Sequence, residues 1–345
     1  MRIWERNFRL SGYSGGDFAV YYPIVNSLKV GRDRFEKVLR QGNPLAPALV
    51  CTPEMQGVFC SASTLPDPDG DFFFRRAHRN RRLVMWVLGF YSVVCILLGL
   101  AYPDHWKATL TFLTIICVIL LYCLIDEKIA FGSRDGFAER GSYYSWLAQK
   151  CRLYLVAVAV IYIFTGVVQF GLGGNQFIEN YALAYSEIGE PWRVVTGSLI
   201  HGSVAHWLTN FTMALVIACF AGPVLRGYFL AAFFCGGVLA FGLDWIIYEF
   251  LTLQQADGLL GTSGGMAALV GAQVVLSLRF QASYPKYFFV TMIYFAVVTF
   301  VAASVFITKS SLTCHVFGLL AGAMMGLVVP DYLSVNENAT PEGGI

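Results

Sequence analysis

One serine and three histidines stand where an otherwise apolar chain tolerates polarity least. Ser263 sits in the stretch Leu259-Leu260-Gly261-Thr262-Ser263-Gly264-Gly265-Met266-Ala267-Ala268, among three glycines. A serine hydroxyl is a weak nucleophile and needs a base within hydrogen-bond reach. An acyl-transfer intermediate also needs donors aimed at its oxyanion. His315 can supply the base. His206 and Asn210 are four residues apart, so on a helix they share one face and can both donate toward one point. His201 lies five residues before His206 and points well off that face. Gly261-x-Ser263-x-Gly265 also matches the nucleophile elbow of soluble hydrolases, which requires a strand before the serine and a sheet around it.

Composition excludes that elbow. The chain is 57% hydrophobic and 13% charged, against about 25% charged for a soluble domain. Its apolar residues gather into runs near the ~20-residue length that crosses a bilayer as a helix. The expected fold is an all-α polytopic membrane protein of eight spans, at 83–102, 108–125, 153–170, 197–220, 224–248, 263–278, 287–307 and 312–329. Gly222-Pro223 is expected to break the chain between the fourth and fifth. Five arginines lie between Arg75 and Arg82, just before the first span. With the N-terminus inside, the inner flanks collect most of the Lys and Arg, leaving Lys107, Arg193 and Lys309 outside. That asymmetry puts both termini in the cytoplasm. The extreme N-terminus carries arginines with no apolar core after them, so no cleavable signal peptide is expected.

Residues 1–82 are expected as a cytoplasmic region with some order. Its proline and glycine content speaks against a compact domain, while Arg32 to Gln41 reads as a short amphipathic helix. Residues 83–125 hold two spans, 126–150 a cytoplasmic linker, 151–330 a six-helix core and 331–345 a cytoplasmic tail. The nine cysteines form no CxxC pair and read as small hydrophobes. No metal site, cofactor or nucleic-acid surface is expected.

In this topology His201, His206, His315 and Ser263 all arrive near the exterior ends of their helices. Ionisable groups inside spans are functional candidates by default. Gly318, Gly322 and Gly326 follow His315 at four-residue spacing, a stripe that lets two membrane helices pack closely. The plain alternatives are Ser263 as a helix cap, His315 as an interhelical histidine, and His206 with Asn210 as interhelical glue. No acidic third member is evident, Asp244 and Glu249 being poor candidates for orienting a histidine. A transporter would carry acids or broken helices mid-span, whereas the acids here sit at span ends.

The sequence resembles the rhomboid family of intramembrane serine proteases. The likeness rests on Gly261-x-Ser263-Gly264, on His201-x4-His206-x3-Asn210, on His315-x2-Gly318-x3-Gly322 and on Trp192-Arg193, in that family's order over about 150–330. It implies a six-helix core with two extra spans before it, and a Ser263–His315 dyad opening to the exterior side. It implies single-pass membrane proteins as substrates, cut within or beside their spans in the lipid bilayer. His206 and Asn210, with the backbone at Gly261, would hold the oxyanion. His201 and Gly264 would be structural, and Trp192-Arg193 part of a loop dipping into the lipid interface. The family often carries a tyrosine four residues after the serine, where this chain has Ala267. Another aromatic is then expected against His315, or a looser hold on it. The runner-up is a rhomboid-like pseudoprotease that binds or escorts clients without cutting.

Overall fold

The computed structural model describes residues 8–41, 48–65, 72–101, 120, 121, 124, 133–183, 189–251, 258–302, 304 and 311–334. Two compact units divide it: 1–149 with 282–291 and 333–345, and 150–281 with 292–332.

The first unit corrects the expected all-α fold, because it holds a β-sheet. Strands β1 (Phe8–Arg9), β2 (Ala19–Tyr22), β3 (Ser27–Val30), β4 (Leu49–Cys51) and β5 (Val58–Ser61) form an antiparallel sheet in the order β1-β5-β4-β2-β3. Side chains alternate between its faces, as a pleat requires. Ala19, Tyr21, Leu49, Cys51 and Phe59 pack on one face. Val20 and Val50 pack on the other, against Phe35 and Val38 of helix α1 (Arg32–Gln41), which is the amphipathic helix the sequence predicts. Burial pushes the Cys51 and Cys60 thiols up from their ordinary value, so both are poor nucleophiles. Helix α2 (Phe72–Ala101) follows. The second expected span, 108–125, lies almost wholly outside the described residues. The expected linker 126–150 is largely helix α3 (Arg134–Lys150). Arg140 and Tyr143 are buried in it, with Arg140 Nη2 donating to Lys286 O (3.3 Å) and Tyr143 edge-on to Phe288 (5.0 Å).

The second unit is helical. Helix α4 (Arg152–Gly166) continues as π-helical turns to Gly173. Short helices α5 (Gly174–Tyr181) and α6 (Arg193–Gly197) lie in what reads as one long connection. Then come α7 (Val204–Leu225), α8 (Tyr228–Leu251), α9 (Ser263–Arg279), α10 (Phe288–Ala296, π-helical on to Ala302) and α11 (Leu312–Val328). Among the described residues, three helices, 152–173, 204–225 and 228–248, are long and apolar enough to cross a membrane, and α9 and α11 are shorter apolar helices.

Gly222-Pro223 does not end α7. The helix runs on to Leu225 and stops at Arg226, whose φ is +50°. Proline so near a C-terminus removes a single ladder bond, and Arg226 N donates to Gly222 O (2.8 Å) to close the last turn. The expected start of the fourth span at 197 is also displaced. Ser203 caps α7 by accepting from His206 N (3.1 Å), so His201 lies in the loop before the helix.

Candidate functional site

The chain before Ser263 is held extended. Leu183 and Leu259 exchange both backbone hydrogen bonds (3.1 and 2.8 Å), and Gly261 N donates to Gly197 O (3.0 Å). Gly261 then turns with φ +119°, a conformation that suits glycine. A Cβ there would lie 3.0 Å from His206 Cε1 and 3.4 Å from Asn210 Nδ2. The backbone leading into α9 thus rests directly on the His206/Asn210 pair. Those two are joined to each other, Asn210 Nδ2 lying 3.2 Å from His206 Nε2.

Ser263 is the first residue of α9 and the capping position falls on Thr262. The plain reading of Ser263 as a cap therefore fails: Ser263 Oγ makes no hydrogen bond among the described residues. Thr262 Oγ1 instead meets Tyr162 OH and, at 3.4 Å, His201 Nε2. The His201 ring stands edge-on to His206 (centroids 5.2 Å).

His201 is fixed by a residue that spacing arguments passed over. The Gln169 side chain accepts from His201 N (2.9 Å) and donates to His201 O, pairing with that residue as a strand would. Gln169 is fully buried on the π-helical end of α4. One signal for it was available, a lone amide inside the apolar run Val167-Val168-Gln169-Phe170. Arg193 is also structural. It is buried, and its Nη1 donates to Glu179 O (2.7 Å) and Ala182 O (3.0 Å), closing the C-terminal carbonyls of α5, while Nε pairs with Glu190. Trp192 beside it is 44% exposed.

His315 stands in the first turn of α11. Ser311 caps that turn by accepting from Cys314 N (3.1 Å). Asp244 receives hydrogen bonds from Ser311 (3.0 Å) and Thr313, so its carboxylate ties α8 to the start of α11. His315 Nδ1 lies 3.0 Å from Phe300 O and 2.6 Å from Ser304 Oγ, and the Phe300 ring is edge-on to the imidazole (5.4 Å, 71°). The sequence did not single out Phe300 or Ser304.

Helices α9 and α11 approach each other most closely at their glycines. A Cβ on Gly264 would lie 3.2 Å from Cys314 Sγ, so the neighbours of Ser263 and His315 touch. A Cβ on Gly318 would overlap Gly264 O and lie 2.9 Å from Ala267 Cβ. On Gly322 it would overlap the Ala268 backbone, and on Gly326 it would lie 2.8 Å from Ala272 O. The stretches 201–210 and 314–318 thus both meet 261–264.

Ala267 belongs to this seam and is wholly buried. The aromatic that meets His315 comes instead from Phe300. A tyrosine at 267 is therefore expected to harm the protein, with overpacking costing about 1–3 kcal/mol. Ala267→Tyr should lower the thermal midpoint in detergent, and an unchanged midpoint would show that the seam has room for the ring.

Residues 188–332 match the model of the Rhomboid domain. The chain carries a rhomboid domain. The match contains His201, His206, Asn210, Ser263 and His315. It begins after Tyr162 and Gln169, which the rhomboid domain nevertheless uses to hold Thr262 and His201. Two of the helices long and apolar enough to cross a membrane, 204–225 and 228–248, lie within the match. No curated protein is similar enough to the chain to match it.

Proposed function

We propose that the protein is an intramembrane serine endopeptidase cutting single-pass membrane proteins within or beside their spans. The observation that carries this reading is the convergence on 261–264. Gly261 rests on His206 and Asn210, and Gly264 abuts Cys314, next to His315. Ser263 Oγ attacks the scissile carbonyl carbon while His315 Nε2 takes its proton. The oxyanion is met by the amide of Asn210, held by His206, and by backbone N–H groups at the start of α9. His315 returns the proton to the leaving amine, and the acyl group stays on Ser263. Water, deprotonated by His315, then releases the second product and restores the hydroxyl. No cofactor enters these steps, and among the described residues no cluster of His, Cys, Asp and Glu could hold a metal. The site would open to the exterior side with both termini cytoplasmic.

The alternative, a client-binding protein that does not cut, draws on Ser263 Oγ lacking a hydrogen bond to His315. Catalytic bonds are often long before substrate binds, which weakens that argument. A fluorophosphonate probe separates the two. The full-length protein should be labelled, and Ser263→Ala should not. An unlabelled parent that still binds single-span clients would establish the escort reading.

A further inference from the structure

Among the described residues no acid hydrogen-bonds to His315, and its imidazole is nevertheless fixed. We propose that Ser304, acting with the carbonyl of Phe300, is the positioning residue for His315, in the place an acid holds in a soluble Ser–His–Asp triad. This rests on the protease reading above.

Three short contacts close on one another. Ser304 Oγ donates to Phe300 O (2.6 Å), and His315 Nδ1 lies 3.0 Å from that oxygen and 2.6 Å from Ser304 Oγ. A carbonyl only accepts, so the hydrogen between Nδ1 and Phe300 O sits on Nδ1. With the Ser304 hydrogen committed to Phe300 O, the lone pairs of Oγ face that same N–H. The tautomer follows from the hydrogen-bond pattern: Nδ1 is protonated, and Nε2 keeps the lone pair a general base needs. The edge-on Phe300 ring restricts the imidazole plane. All three groups are buried.

Phe300 lies in the π-helical stretch Val297–Ala302, a departure from the regular α-helical ladder of the kind often found at functional sites. The environment explains a hydroxyl in place of an acid. An ionised carboxylate held among apolar helices is costly, while a hydroxyl with its own acceptor orients the ring without a net charge. Asp244 is engaged with Ser311 and Thr313 at the α11 terminus.

Three variants of the reconstituted full-length protein test this: Ser304→Ala, Ser304→Val and Ser304→Thr. Threonine and valine have the same shape and differ in the hydroxyl. Removing it should slow fluorophosphonate labelling of Ser263, and kcat on a single-span reporter, by about tenfold or more, toward the lower end of general-base contributions. KM and the thermal midpoint should stay near the parent values. Ser304→Thr should keep most of the labelling rate. Equal rates for the threonine and valine variants, whether both high or both low, would overturn the assignment, because the hydroxyl would then not matter. A loss confined to KM would overturn it too. A parent that does not label at all sinks the protease reading instead.

Discussion

Cleavage of a single-span reporter by the reconstituted protein should fall by about 10⁴-fold or more on Ser263→Ala, and by a similar factor on His315→Ala. The double variant should be no worse than either single one. The reason is that nucleophile and base act as one unit: without the serine there is nothing for His315 to deprotonate, and without the histidine the hydroxyl is not activated. Residual turnover would come from the Asn210 amide and the backbone donors at the start of α9. The measurement is kcat/KM for the four proteins at matched expression and matched thermal midpoint. Additive losses, with the double variant far below both singles, would mean that the two residues serve separate steps and that the dyad is wrong. His201→Ala is expected to act differently. It removes a ring packed between Thr262 and His206, so its effect should appear mainly in stability.

The largest effect on folding is expected at Gly322. The α9–α11 contact is backbone against backbone, and a Cβ at 322 would occupy the place of Ala268 main-chain atoms. Backbone in a helix cannot step aside as a side chain can, so the two helices must separate. Lipid gives no hydrophobic reward for re-forming a looser interface, since membrane helices associate through close packing. Gly322→Leu should therefore yield no folded protein in detergent, and Gly322→Ala a clearly lowered thermal midpoint. Gly89 in α2 is the control, because a Cβ there meets nothing within 4 Å. Gly89→Leu should melt like the parent. If Gly322→Leu and Gly89→Leu melted alike, the seam would not be the structural centre of the rhomboid domain.

Much of the site was legible because its signals are local. Four-residue spacing put His206 and Asn210 on one face, and the side chains are in contact. Glycines at four-residue spacing after His315 marked a packing stripe, and it packs against α9. Apolar run length and the scarcity of charge fixed a helical membrane protein. In each case the informative residues lie within a few turns of one another, where helical periodicity decides which side chains share a face.

What the tertiary structure alone decided concerns partners distant in the chain. Gln169 holds His201 from thirty-two residues away, and Thr262 meets Tyr162 across a hundred. Ser304 falls inside the expected span 287–307 with nothing to mark it, and only the fold brings it to His315. The N-terminal sheet escaped for the same reason. Its strands are two to four residues long, too short for a period of two to stand out, and they are defined by pairing across turns rich in glycine and proline. The residue types that can do chemistry, Ser263, His315, His206 and Asn210, were fixed by sequence. Which groups hold them in place depended on close backbone approach and on hydrogen bonds that no periodicity encodes.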